Sequence, residues 1–200
     1  MNPTDQFFFD YFEAYLAGNT AARIVQEALV ECGVGLMPLV DHCAIRTHDV
    51  DQRAQDVIQL GYKYDDSIGV LEFDDWWAKV YRKPGYPALF IDQGFSSERG
   101  KNSLIPGWVD DHGDQCFHHL AILVEDIEAA MDRLKRREVE FAGEIVGEAG
   151  TDLRQIFTRP EIKNGKVHTV LELIERHNGY AGFLPPQADG LMESTRGTLS

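Results

Sequence analysis

Two stretches of the chain repeat one pattern of apolar and polar positions. Val40-Asp41-His42-Cys43-Ala44-Ile45-Arg46-Thr47-His48-Asp49 and Phe117-His118-His119-Leu120-Ala121-Ile122-Leu123-Val124-Glu125-Asp126 align His42 with His119, Ala44 with Ala121, Ile45 with Ile122 and Asp49 with Asp126, each pair 77 residues apart (119 − 42 and 126 − 49). Each copy reads as a strand, an acidic helix start and an amphipathic helix, over 49–60 and 126–137. An internal repeat of this kind predicts two related modules, packed so that the histidines face a shared cavity. Successive side chains in a strand point to opposite faces, so His42, Ala44, Arg46 and His48 share one face and Cys43, Ile45 and Thr47 the other. In the second copy His119, Ala121 and Leu123 share a face, and His118 points away. The apolar face is expected under the following helix, which leaves His42, Arg46 and His119 on the open side.

The remaining pattern completes the modules. After the first helix, strand-like runs cover 69–73, 76–82 and 88–92, with Lys83-Pro84-Gly85 as a turn. After the second they cover 144–147, 153–158 and 167–174. The predicted fold is therefore α+β, two paired β-α-β-β-β modules with an N-terminal helical extension, in a single domain over 1–200. Residues 1–38 hold two helices, over 5–16 with Thr4 as N-cap and Gly18 as stop, and over 20–32 ended by Gly33. They are expected to pad one end of the first module, with the aromatic stripe from Phe7 to Tyr15 in the core. The first module spans 39–95 and the second 116–177. Between them, 96–115 is polar and glycine-containing and reads as a linker or flap anchored by Trp108. The tail, 178–200, has a short helix expected at 188–194.

Charge narrows the function class. Nineteen basic residues against 33 acidic ones give a net −14, which argues against nucleic acid and anionic membranes as partners. The chain has no apolar run long enough for a membrane span and no basic N-terminal leader pattern. Three cysteines without CxxC spacing argue against a disulfide framework or a thiolate zinc knot and make a reduced cytoplasm the expected location.

Candidate chemistry rests on the histidines and one carboxylate. Glu172 lies inside the apolar run Val170-Leu171-Glu172-Leu173-Ile174, where an unpaired carboxylate is costly and calls for a cation, a metal or water. His168 and Arg176 share its face; Glu175, on the other, is expected in solvent. Two imidazoles and one carboxylate on neighbouring strands form a facial triad, which leaves coordination positions open and favours non-haem Fe(II) oxygen chemistry. A closed zinc site needs four protein ligands, and the matching run of the first module, Ala88-Leu89-Phe90-Ile91-Asp92, puts apolar residues where Glu172 falls.

These residues resemble a known superfamily. Paired β-α-β-β-β modules with His, His and Glu look like the vicinal oxygen chelate fold. Leu153-Arg154-Gln155-Ile156-Phe157-Thr158-Arg159-Pro160 with Leu171-Glu172 and Arg176-His177-Asn178 is similar to the end of 4-hydroxyphenylpyruvate dioxygenase. A wider resemblance, to the 2-oxoadipate dioxygenase/decarboxylase family, takes in the aromatic N-terminal helix, the His42-x-x-x-Arg46 spacing, Pro87 to Ile91, His119, Glu172, Gly182-Phe183, Ala188-Asp189 and Glu193-Ser194-Thr195. It implies His42, His119 and Glu172 as ligands of Fe(II), with other divalent metals as substitutes, and Arg46 as the contact to a substrate carboxylate. The second family implies Gln155 on the substrate side. The implied reaction consumes a 2-oxo acid and O2, as in 2-oxoadipate to 2-hydroxyglutarate. Two other readings stand beside it. One is a metal-dependent isomerase or lyase of glyoxalase-like fold, which needs a base such as His48, His168 or Glu175 in the cavity; the other is a binding module without turnover.

Overall fold

The computed structural model describes residues 1–195. In chain order it contains α1 (Pro3–Gly18), α2 (Thr20–Glu31), β1 (Val40–Arg46), α3 (Val50–Gln59), β2 (Lys63–Tyr64), β3 (Leu71–Glu72), β4 (Trp76–Arg82), β5 (Ala88–Gly94), α4 (Leu104–His112), β6 (His119–Val124), α5 (Ile127–Lys135), β7 (Phe141–Val146), β8 (Leu153–Thr158), β9 (Ile162–Lys163), β10 (Lys166–Val167), β11 (Val170–Arg176) and α6 (Pro185–Ser194). Nine strands form one curled sheet in the order β2-β4-β5-β1-β6-β11-β8-β7, with β3 on β4. The fold is α+β.

The repeat is visible in the hydrogen bonds. β1 runs parallel to β5, β6 runs parallel to β11, and β1 and β6 meet antiparallel at the centre. Asp49 caps α3 through Gln52 N–H and Asp126 caps α5 through Ala129 N–H. The first amide of each helix also donates to a side chain of the parallel partner strand, Val50 to Gln93 Oε1 and Ile127 to Glu175 Oε2, both at 2.7 Å. Each helix is thereby tied to its own half-sheet at the point where its free N–H groups need acceptors.

Alternation decides the two faces. Cys43, Ile45, Leu120, Ile122, Leu171 and Leu173 point into one core with Val50, Ala54 and Val57 of α3 and Ile127 and Met131 of α5. Ala44, Ala88 and Phe90 face a second core with Trp76, Ile105, Trp108, Phe183 and Met192, and the cavity opens on this side.

Several local expectations change. Asn2, not Thr4, caps α1, accepting from Asp5 N–H at 2.9 Å with Pro3 in the first turn; Thr4 is buried and donates to Leu60 O. α1 does not pad one end of the first module. Phe8, Phe12 and Tyr15 lie in the core shared by both half-sheets, Phe8 against Tyr62, Tyr86 and Phe117, and the Tyr15 hydroxyl donates to Val170 O. Large aromatic rings bury most area where two modules meet. Gly33 ends α2 as its sequence predicts, with φ 71° and Val34 N–H returning to Leu29 O. The segment 96–115 is not simply polar chain: it folds α4, whose Ile105, Trp108 and Val109 are buried, with Trp108 Nε1 donating to His168 O at 2.6 Å. The strand expected over 167–174 begins at Val170, because 162–167 form a separate hairpin.

Candidate metal centre

Sheet register brings three polar side chains to one point. Ala44 pairs with His119 and His42 with Ala121 across β1 and β6, while Ala121 pairs with Glu172 across β6 and β11. All three project from the cavity face. His42 Nε2 lies 3.4 Å from Glu172 Oε2, His119 Nε2 lies 3.2 Å from the same oxygen, and the two imidazole Nε2 atoms are 3.3 Å apart. They are buried at 2%, 8% and 1% exposure. Donors about 2.1 Å from one ion stand roughly 3.0 Å apart at right angles and about 3.4 Å apart in a tetrahedron, so this triangle has the dimensions of one face of a coordination shell. Among the described residues no further His, Cys, Asp or Glu joins the cluster. Its symmetry-related place is apolar: Phe90 pairs with Ala44 as Glu172 pairs with Ala121.

Each donor is held from behind. Asp41 Oδ1 contacts His42 Nδ1 at 2.8 Å, and Arg176 grips the same carboxylate at 2.8 and 2.9 Å. Gln155 Nε2 donates to Glu172 Oε1 at 2.6 Å, which leaves Oε2 for the triangle. His118 Nδ1 sits 3.0 Å from His119 Nδ1. Partners of this kind fix the tautomer and aim of a metal-binding imidazole. Burial alone would lower the pKa of His42, but the Glu172 charge and the Asp41 contact outweigh it and raise it to about 9. Burial, with the charges of His42 and Arg46, drives His119 well below its ordinary value. One positive charge thus balances the buried carboxylate, and a divalent cation would take its place.

Arg46, 3% exposed, reaches the same cavity, directs Nη2 to Met192 Sδ at 3.0 Å and lies over the Trp108 ring. Gln155 lines the cavity too, but one of its two amide N–H groups is spent on Glu172. The three bases an isomerase would need are elsewhere. His48 lies beyond the end of β1, more than half exposed and paired with Asp110. His168 precedes β11 and packs on His112 and Trp108, where burial lowers its pKa to about 4. Glu175 is not in solvent but buried, on the helix side, accepting from Ile127 N–H with Arg154 and His177 alongside. His118 departs from strand parity. It stands one residue before β6, and its ring turns into the cavity beside His119. Asp92, 2% exposed, is a cavity carboxyl that sequence reading placed in an apolar run and did not single out. Its only signal is a charged residue ending that run. Asp41 was legible as the neighbour of His42, but its Arg176 partner lies 135 residues away.

The space between these groups is small, about 40 Å3, walled by Trp76, Phe90, Phe157, Phe183, Leu191 and Met192. The last two come from α6.

The profile of the Glyoxalase/Bleomycin resistance protein/Dioxygenase superfamily matches residues 39–162. Among solved structures, a provisionally assigned hydrolase from Shewanella frigidimarina superposes with TM-score 0.75 at 19% identity, covering 92% of this chain and 99% of its own. A variant of 4-hydroxymandelate synthase from Streptomyces coelicolor gives TM-score 0.59 at 21% identity, over 80% of this chain and 55% of its own. Methylmalonyl-CoA epimerase from Mycobacterium tuberculosis gives 0.51 at 22%, over 70% and 89%. At these identities the likeness is one of fold. No curated protein sequence matches the chain significantly.

Proposed function

The chain belongs to the Glyoxalase/Bleomycin resistance protein/Dioxygenase superfamily, and from that premise we propose that it is a non-haem Fe(II)-dependent, decarboxylating dioxygenase of a 2-oxo acid, with 2-oxoadipate to 2-hydroxyglutarate as the reaction type. The observation that carries this reading is the buried His42, His119 and Glu172 triangle with a guanidinium, Arg46, in the same cavity. Such a donor set, completed by no fourth protein ligand among the described residues, suits Fe(II) and O2. Held by His42, His119 and Glu172, the ion would supply Lewis-acid and redox chemistry for a 2-oxo acid and O2.

The chain's own residues do the rest. Asp41 and Arg176 hold the His42 ring so that Nε2 faces inward; Gln155 leaves one oxygen of Glu172 to the ion. Arg46 stands four residues beyond His42, about 13 Å along the strand, too far for the ion but within reach of the far carboxylate of a dicarboxylic substrate. Phe90, Phe157 and Phe183 exclude water, which strengthens every charge interaction inside. The three bases named for an isomerase or lyase, His48, His168 and Glu175, lie outside the cavity, which counts against that reading.

The decisive experiment is oxygen consumption and CO2 release by iron-loaded protein given a series of 2-oxo acids. The expected result is one CO2 per O2 with a dicarboxylic member. Metal binding with no turnover of any member would leave a binding module as the reading.

A further inference from the structure

Three polar atoms of the cavity walls are sealed from solvent without a hydrogen-bond partner among the described residues: Arg46 Nε, Asp92 Oδ1 and His118 Nε2. Their residues are 3%, 2% and 1% exposed and line the same small space. Arg46 and Asp92 are register neighbours on β1 and β5, yet the guanidinium turns to the thioether of Met192, a weak acceptor, rather than to the carboxyl. The His118 tautomer follows from the metal site: with a cation on the His119 Nε2 lone pair, His119 Nδ1 would carry the proton and His118 Nδ1 would accept it. His118 Nε2 is then an N–H donor. A buried polar group left open in this way costs free energy that a ligand can recover.

We propose that the Arg46 end of the cavity binds the far carboxylate of the substrate together with one proton held on Asp92, so that Asp92 is a specificity-determining residue that donates its carboxyl O–H to the substrate. This rests on the 2-oxo-acid reading above. The donors then match the acceptor: the Arg46 fork, the His118 N–H and the Asp92 O–H surround the two oxygens of one carboxylate. An ionised Asp92 would instead set two negative charges side by side in a dry site, where one of them must take a proton. Burial already raises Asp92 to about 7, and the Arg46 charge offsets that only in part.

The charged groups around Asp92 are few. β1 supplies Arg46, the approach to β6 supplies His118, and β4 presents Ala78 as its paired neighbour. α4 contributes the Trp108 ring, with Asp110 exposed beside His48 and Asp111 paired with Lys166. α6 brings Met192, while its Asp189 accepts from Trp76 Nε1 and Asp74 N–H. The proton balance is explicit: above about pH 7 the dianionic substrate and ionised Asp92 combine with one H+ from solvent, and below it Asp92 brings the proton itself.

The test is calorimetric binding of 2-oxoadipate and 2-oxohexanoate to iron-loaded protein without oxygen, from pH 6 to 9, in two buffers of different ionisation enthalpy. The monocarboxylic ligand reports any titration at the metal end. The expected result is an affinity ratio favouring the dicarboxylic acid that is flat below about pH 7 and falls about tenfold per unit above it, with one more proton taken up than for the control. Asp92→Asn, which keeps a donor but cannot ionise, should remove the slope and the extra proton. A ratio independent of pH in the unaltered protein, or tighter binding of the ω-amide than of the acid at pH 6.5, overturns the inference alone. Failure of both 2-oxo acids to bind overturns it together with the proposed function.

Discussion

At the scale of single residues, the site is defined less by its three donors than by what stands behind them. Arg46 and His118 both line the cavity, and each gives a prediction. Arg46→Met should keep metal and lose about a hundredfold in kcat/KM on a dicarboxylic 2-oxo acid, the worth of a charge-assisted contact, while a monocarboxylic substrate changes little. Steady-state kinetics on a matched pair decides it; an unchanged preference would make Arg46 structural. His118→Phe keeps the ring beside Trp108 but removes the acceptor for His119 Nδ1. Loss of an orienting partner typically lowers metal affinity 10- to 100-fold. Chelator competition measures this, and affinity within twofold of the unaltered protein would show that His119 needs no help from its neighbour.

Among the elements, helix starts and the C-terminal helix carry unequal loads. Gln93 and Glu175 hold equivalent helix amides, but only Glu175 also meets a buried Arg154, which Glu128 shares. Glu175→Ala leaves one N–H unsatisfied and one buried cation short of a partner, and should cost about 2–3 kcal/mol against about 1 for Gln93→Ala. Denaturant melts of the two variants make the comparison. Burial alone would raise the Glu175 pKa, but the Ile127 amide, His177 and Arg154 hold it below the ordinary value. Its contribution is therefore full above the unfolded value of about 4.3 and fades as pH falls below it. α6 closes the cavity with Leu191 and Met192, and the remaining 40 Å3 suits a water or two, not an oxo acid. Substrate entry then requires α6 to move, so its amides should exchange with solvent much faster than those of β1, β6 and β11. Exchange as slow as in those strands would place the entrance elsewhere.

For the whole molecule, the site is a clasp between halves: His42 comes from the first repeat, His119 and Glu172 from the second. A ligand that binds only the folded chain at a thousand times its Kd adds about 4 kcal/mol. In a protein of this size that corresponds to roughly 8–16 °C in Tm. Metal should therefore raise a single cooperative transition, and Glu172→Gln should abolish the rise while also lowering the metal-free Tm, because His42 loses the carboxylate that balances its charge. Two resolved transitions in the presence of metal would deny the clasp.

The sequence determined what local chemistry can encode. A constant spacing of 77 residues carried the repeat, its caps Asp49 and Asp126, the two-faced alternation of the central strands and the equivalence of His42 with His119. Glu172 was legible because a carboxylate in an apolar strand needs a partner. Tertiary structure alone decided what depends on contact between distant segments. Asp41 meets Arg176, Gln155 meets Glu172 and Met192 covers Arg46 only once the strands of the sheet have fixed their register. His118 turned inward where the strand had not yet begun, so parity did not bind it. Asp92 is distinguished by burial together with an oxygen that has no partner among the described residues, and both are set by the fold. Periodicity reports which face a side chain takes, but partner and dielectric are set by the whole fold.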